Sequence, residues 1–177
     1  MNIRQVVAAD ARGVATVHVR SWQSAYRGIV ADAYLDSLSI DGRESVWRES
    51  IRRGTPEIWV AEIDSRVVGW TAFGPSRDQD ARPETGELEA IYLLPSHWAT
   101  GVGRALLLIT RRRLIERGFS TATLWVLTQN ARAIHFYTAG GFAPDPASKK
   151  SIDVGGRTLS EIRYQTSFGD AAAPAVT

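Results

Sequence analysis

Gly101 and Gly103 stand one residue apart, followed at once by Arg104, where the apolar run "GELEAIYLLP" gives way to "HWATGVGRALL". The first turn of a helix leaves backbone N–H groups without intrahelical partners. With the helix dipole behind them, those donors can hold a phosphate, and glycine lets the backbone come close. A plain strand-to-helix turn uses the same residue types, so this stretch alone leaves both readings open. The run is not a dinucleotide fingerprint, because Gly103 continues into Arg104, Ala105 and Leu106. The lysine and hydroxyl of a P-loop are also missing, so the anion need not be a nucleoside triphosphate.

Two carboxylates precede the glycines. Glu87 and Glu89 are two apart on an apparent strand, which puts them on one face with Ile91 and Leu93; Leu88, Ala90, Tyr92 and Leu94 line the other. A face that starts acidic and turns apolar fits a strand running from the rim of a cleft inward. A carboxylate there can take a proton from an amine, directly or through water, and attract a cation. A solvated strand end is the plainer alternative. Trp22 and Tyr26 are four apart on an earlier helical pattern, with His18 one turn before Trp22. They could shape a pocket for an apolar or aromatic amine, or simply fill a core. His18, His97 and His135 are too scattered to form a metal motif. The chain has no cysteine, which excludes disulfides, thiolate nucleophiles, covalent thioester intermediates and Cys-ligated metals.

These residues need elements to position them. Residues 2–7 pattern as a short strand, and Asp10 is placed to cap a helix running to about Tyr26. Helical segments over 32–38 and 41–53 follow, the second ending at Gly54. "PEIWVAEI" and "VVGWTAF" around "DSR" predict an antiparallel hairpin. Residues 75–86 are polar and rich in turn formers, hence a loop, and 87–94 form the next strand. Leu106, Leu107, Thr110 and Leu114 give helical spacing over about 101–117, and Gly118 is placed to end that helix. A strand over 121–127, a short helix from Asn130 closed by Gly140 and Gly141, and two strands around Gly155–Gly156 complete the chain. The pattern predicts one mixed α/β domain over residues 1–168 and a disordered tail over 169–177. A doubly wound parallel sheet fits worse, since residues 56–74 lack a crossover helix.

Three blocks, "HVRSWQSAYRG" (18–28), "ELEAIYLLPSHWATGVGRALL" (87–107) and "ATLWVLTQNARAIHFYTAGGF" (122–142), resemble the GCN5-related N-acetyltransferase (GNAT) superfamily. The likeness covers the chain from about residue 2 to 166. The second block resembles the acetyl-coenzyme A signature, whose Gln/Arg position here falls on Trp98. The third resembles the family helix that begins with Asn and carries Tyr, with Asn130, Phe136, Tyr137 and the closing "GGF".

The resemblance implies a mostly antiparallel sheet flanked by helices, with the strand at 88–94 splayed from that at 121–127 to open a cofactor cleft. A bulge near Leu93 would free backbone groups of Ile91, Leu93 and Leu94 for the pantetheine arm. The loop Trp98, Ala99, Thr100, Gly101, Val102, Gly103, Arg104 and Ala105 would receive the pyrophosphate, and Asn130, Ala133, Phe136 and Tyr137 would complete the site. Tyr137 resembles the tyrosine that protonates the coenzyme A thiolate; an ordinary pKa of about 10 suits donation at neutral pH. Asn130 would stand with Tyr137 and Glu89 among the catalytic residues, as a helix cap that also hydrogen-bonds the pantetheine amides or an ordered water. Glu89 is the preferred base, with Glu87, His18 or water as alternatives, and Trp22, Tyr26, His18 and Glu87 wall the acceptor pocket.

The expected activity is transfer of acetyl from acetyl-CoA to a primary amine of a small molecule by direct attack. Protein or peptide acetylation and a non-catalytic acyl-CoA-binding module are the alternatives. Neither a metal nor nucleic acid is expected: the net charge is only +2, and "RRR" at 111–113 lies in a helix with Glu116, as a solvated face does. The N-terminus lacks a signal-peptide pattern, and no segment reaches the roughly 20 apolar residues of a membrane span. A cytoplasmic protein is expected, with a homodimer possible through the C-terminal hairpin.

Overall fold

The computed structural model describes residues 1–169; of the expected tail, all but Gly169 lies outside the described residues. The elements run β1 (Asn2–Gln5), α1 (Ala11–Ala25), α2 (Asp32–Ser37), α3 (Ile40–Arg53), β2 (Glu57–Ile63), β3 (Arg66–Pro75), β4 (Thr85–Leu93), α4 (Val102–Glu116), β5 (Thr121–Leu127), α5 (Ala131–Ala139), β6 (Ala143–Val154) and β7 (Arg157–Ser167). The strands form one seven-stranded sheet in the order β1-β2-β3-β4-β5-β7-β6. Its neighbours are antiparallel except β4 and β5.

Local chemistry accounts for the element ends. Asp64 and Ser65 both take positive φ, 49° and 60°, which matches the twist of a tight hairpin between β2 and β3. The Ser39 side chain caps α3 by accepting from the Gly42 N–H, and Gly54 ends that helix in the left-handed region. Asp10 precedes α1, as expected, but its carboxylate does not cap that helix. It accepts from the Val7 N–H at 2.8 Å and from Arg4 at 2.6 and 2.9 Å. The reason is backbone conformation: Asp10 closes a 3-10 turn and is already helical (φ −78°, ψ −10°). It therefore lacks the extended N-cap geometry that aims a side chain at the following amides.

Helices cover both faces of the sheet. Val14 and Val17 of α1 pack with Ile58, Val60, Trp70 and Ala72, and α3 lies against α1, where Trp47 and Ile51 join the same cluster. On the other face Leu114 of α4 and Tyr137 of α5 pack with Phe73, Leu88, Ala122 and Leu124. Thr110, within the apolar stripe of α4, reaches the buried Thr71 hydroxyl of β3 at 2.8 Å. Thr110 already donates to the Leu106 carbonyl at 2.9 Å, so the bond satisfies the Thr71 hydroxyl, which left alone in the core would cost about 1–3 kcal/mol.

One irregularity resets the centre of the sheet. Ala72 pairs with Ala90 and Phe73 with Leu88, so Glu89 has no partner on β3. The bulge is therefore at Glu89 and not near Leu93. An extra residue moves everything beyond it to the opposite face, which overturns the simple alternation expected from sequence. Leu88 and Ile91 pack on the α4–α5 side, whereas Ala90 and Tyr92 pack with α1.

Candidate active site

β4 and β5 pair only over Thr85–Glu87 against Thr121–Thr123. Beyond Glu87 the ladder ends and the two strands part, one residue before the Glu89 bulge. The splay expected from the resemblance is present, and the bulge sits at its root. α5 places Tyr137 behind it, with rings of Phe136 and Phe142 at 5.3 and 6.2 Å. Burial, with a further push from Tyr92, raises the Tyr137 hydroxyl above the ordinary phenol range. Tyr137 is thus a phenol that keeps its proton at neutral pH.

The loop from Trp98 to Gly103 joins the open end of β4 to α4. Ala99 and Gly101 both have positive φ, 59° and 89°, which alternates the direction of successive amides as in an anion-binding nest. No side chain caps α4, and its first intrahelical bond is donated by Ala105 to Gly101. The N–H groups of Val102, Gly103 and Arg104 are left to face a ligand or solvent. The two glycines serve different purposes. Gly101 is required by its backbone conformation, since a Cβ placed there would meet nothing within 4 Å, whereas a Cβ on Gly103 would press on the Phe136 ring at 3.2 Å. Gly103 therefore lets α4 pack against α5.

Trp98, at the signature position expected to carry Gln or Arg, donates its indole N–H to the Leu93 carbonyl at 3.3 Å. The guanidinium of Arg132 lies 3.7 Å over its ring. Arg132 occupies the first turn of α5 and Arg104 the first turn of α4, both exposed. Neither meets a carboxylate among the described residues. A cation at a helix N-terminus opposes the dipole, and an anion between the two arginines would relieve that. At the start of α5 Asn130 accepts from the Ala133 N–H at 3.1 Å, which leaves its amide N–H₂ free to donate. The loop, its uncapped amides and the two unpaired arginines fit a phosphate-bearing group such as that of coenzyme A.

The other half of the cleft is acidic and aromatic. Glu87, 3% exposed, receives the Arg77 backbone N–H at 2.9 Å and its guanidinium at 2.6 and 3.1 Å. Glu89, less buried, makes one contact with the same guanidinium, at 3.1 Å. Burial raises the Glu89 pKa, opposed by Arg77 and helped by Glu87. Of the two carboxylates, Glu89 is the one with an oxygen to spare. Across the cleft the Tyr26 and Tyr92 hydroxyls meet at 3.1 Å, and Trp22 packs edge-on to Tyr26 at 4.9 Å.

His18 stacks on Trp22 and Tyr92 at 5.3 and 5.7 Å. Its Nδ1 accepts the Trp47 indole N–H at 3.2 Å, so the neutral ring carries its proton on Nε2, which has no protein partner. Burial, reinforced by Arg43, lowers its pKa to about 4. In this state His18 offers no free lone pair, and it supports the aromatic wall. His97 and His135 lie apart from the wall, on the 3-10 turn before Trp98 and on α5. Among the described residues no three potential metal ligands cluster.

Residues of the cleft that the sequence did not single out include Arg77, Tyr92, Arg132, Lys150 and Glu161. Lys150 and Glu161 face each other across β6 and β7, and Glu161 lies in register with Leu127 at the open end of β5. Arg77 belongs to a polar loop whose contacts are visible only once the hairpin closes. Arg132 shows no local signal beyond its place after Asn130. A cavity of 310 Å³ is lined by Ser76, Asp78, Asp80, Thr123 and Arg163 at the joined end of β4 and β5.

Residues 18–142 match the model of the acetyltransferase (GNAT) family. The uncharacterized N-acetyltransferase YuaI of Bacillus subtilis (strain 168) is 34% identical over 163 residues, covering 92% of this chain and 90% of that protein. The spermidine N(1)-acetyltransferase of Thermoplasma acidophilum is 25% identical over 147 residues, with 80% and 88% covered. Among solved structures, the PaiA N-acetyltransferase from Thermoplasma acidophilum in complex with coenzyme A superposes with a TM-score of 0.75 at 21% identity, over 94% of this chain and 98% of that one.

Proposed function

The chain belongs to the acetyltransferase (GNAT) family, and from that premise we propose that it transfers acetyl from acetyl-CoA to a primary amine of a small molecule by direct attack. It is an acetyl-CoA-dependent N-acetyltransferase; the small-molecule acceptor and the residue roles are the proposal. The observation that carries it is Glu89, the bulge residue at the point where β4 and β5 part.

Acetyl-CoA supplies the thioester whose acyl carbon the amine attacks. An attacking amine must be neutral, and Glu89 is suited to take its proton because burial moves the carboxyl toward neutral pH. Glu87 is saturated by Arg77 and holds that guanidinium in place. Tyr137 holds the opposite charge state, a protonated oxygen pushed up by burial. Two groups whose environments set one as acceptor and one as donor are what amide formation with loss of a thiol requires. The uncapped amides of α4, with Arg104 and Arg132, hold the phosphates and so fix the thioester against the base. Such alignment contributes several powers of ten to the rate. Trp22, Tyr26 and Tyr92 pack together as one aromatic wall, which suits a small amine with an apolar body. Among the described residues no helix is long and apolar enough to cross a membrane.

The test is coenzyme A release from acetyl-CoA with a panel of polyamines, aminoglycosides, amino acids, arylamines and short peptides. Turnover of one small-amine class, lost in Glu89→Gln, is expected. Turnover confined to peptides would overturn the small-molecule assignment. A rise in melting temperature with acetyl-CoA but no turnover of any amine would overturn the catalytic one.

A further inference from the structure

The Lys150 ammonium rests between an aromatic ring and a carboxylate. It lies 3.9 Å over the centroid of the Trp125 ring and 3.6 Å from Glu161 Oε2. Trp125 is fixed by its own indole N–H, which donates to Asp78 at 2.9 Å. Glu161 is held across the sheet, opposite Leu127 on one side and Lys150 on the other. Its side chain is 16% exposed, and its longer contact with Lys150 is an ion pair without a close hydrogen bond. Burial raises the Glu161 pKa, with Lys150 lowering it and Glu87 raising it further. An aromatic face and a half-buried carboxylate side by side form a strong site for an ammonium.

The occupant is a poor fixture. Lys150 is 44% exposed and comes from the sheet-edge strand β6, just beyond a register shift between Asp145 and Lys149. It is anchored at one end only, on a flexible four-carbon stem. Lys149 and Lys150 are the only lysines in the chain. Leu127, in register with Glu161, packs in one cluster with Trp22 and Tyr26, so the ammonium site adjoins the aromatic wall of the acceptor cleft.

Building on the proposed small-amine acetylation, we infer that Trp125 and Glu161 form a second ammonium subsite, filled by Lys150 at rest and by the far cationic group of the acceptor when it binds. The acceptor class is then an amine with a second positive charge: one amine reaches Glu89 and loses its proton, while the other stays charged and displaces Lys150.

The experiment is calorimetric titration of α,ω-diaminoalkanes of four to six carbons, each against the monoamine of the same length. It uses the wild type, Lys150→Met, Glu161→Gln and Trp125→Leu. Binding of the best diamine about tenfold tighter than its monoamine is expected, with the ratio rising severalfold in Lys150→Met as the competitor is removed. In Glu161→Gln and Trp125→Leu the ratio falls below about twofold, while the melting shift with acetyl-CoA persists as the control for folding. Equal affinities in wild type and Lys150→Met, or a ratio unchanged in Glu161→Gln, would overturn the inference. Binding is read without turnover, so a diamine preference without acetylation would count against the proposed reaction and not against this subsite.

Discussion

The two sides of the cleft balance charge in opposite ways. On the cofactor side, Arg104 and Arg132 stand at the positive ends of α4 and α5 with no carboxylate beside them among the described residues. On the acceptor side, Glu87 and Glu89 share Arg77, and Glu161 holds Lys150. The first half leaves positive potential uncompensated and waits for an anion. The second is compensated in large part from within, three carboxylates against two cations, so a cationic acceptor competes with the chain's own side chains for them. A half of the first kind gains affinity directly from its ligand's charge. A half of the second kind gains only the difference between ligand and resident, which favours selectivity over affinity.

Breaking the chemistry where the halves meet has the largest expected effect. Glu89→Gln removes the proposed proton acceptor and is expected to lower kcat by about 10²–10⁴-fold, the range for a positioned general base. Tyr137→Phe is expected to lose less, about 10–10²-fold, because water can protonate a thiolate in its stead. Steady-state rates at saturating acetyl-CoA check both, and a Glu89→Gln enzyme at near wild-type kcat would move the base elsewhere.

The cofactor half is sharpened by Arg132→Ala, expected to raise KM for acetyl-CoA about tenfold, or about 1.4 kcal/mol, with little change in kcat. The effect should shrink as salt rises, since exposed charges are screened. An unchanged KM would mean that the Trp98–Arg132 stack is structural.

Smaller still is the effect of loosening the acceptor half. Arg77→Met removes the cation that lowers the Glu89 pKa, so that pKa rises further. A base works only when deprotonated, so the acid limb of the kcat/KM profile moves to higher pH. A shift to lower pH would exclude Glu89 as the group titrating there.

The aromatic wall gives a stability prediction. Burial lowers the folded-state pKa of His18 to about 4 from the ordinary 6.5. The folded protein therefore resists protonation that the unfolded chain accepts. Stability is unaffected above about pH 6.5 and is lost as pH falls from there toward 4, by up to roughly 3 kcal/mol. Thermal melts of His18→Phe against wild type from pH 7 to 4 are expected to show the variant losing less.

The sequence is informative wherever a signal is local. The cap at Asn130, the left-handed glycine ending α3, the stripe Leu106–Thr110–Leu114 and the hairpin around Asp64–Ser65 are set by residues within a few positions of one another. Periodicity and turn chemistry therefore report them. Asp10 departs from its expected capping role because a preceding 3-10 turn, itself fixed by the bonds to Val7 and Arg4, changes its backbone state. The loop over 98–104 is legible as an anion site or a turn, but the division of labour between its glycines is not, since the constraint on Gly103 comes from Phe136 on another helix.

What the sequence by itself determined is the order of elements, the cysteine-free chemistry and the candidates Tyr137, Glu89 and Asn130. Only the tertiary structure decided which way those candidates face and what neutralises them. The bulge at Glu89 depends on how β3 and β4 register over Phe73 and Ala72, and a one-residue slip reverses every side chain beyond it. The partners Arg77, Arg132 and Lys150 arrive from a loop, a helix start and a strand edge, and the Lys150 ammonium meets the Trp125 ring across 25 residues of chain. Charge compensation acts through space over a few ångströms, and sequence spacing carries no record of that distance until the sheet has closed.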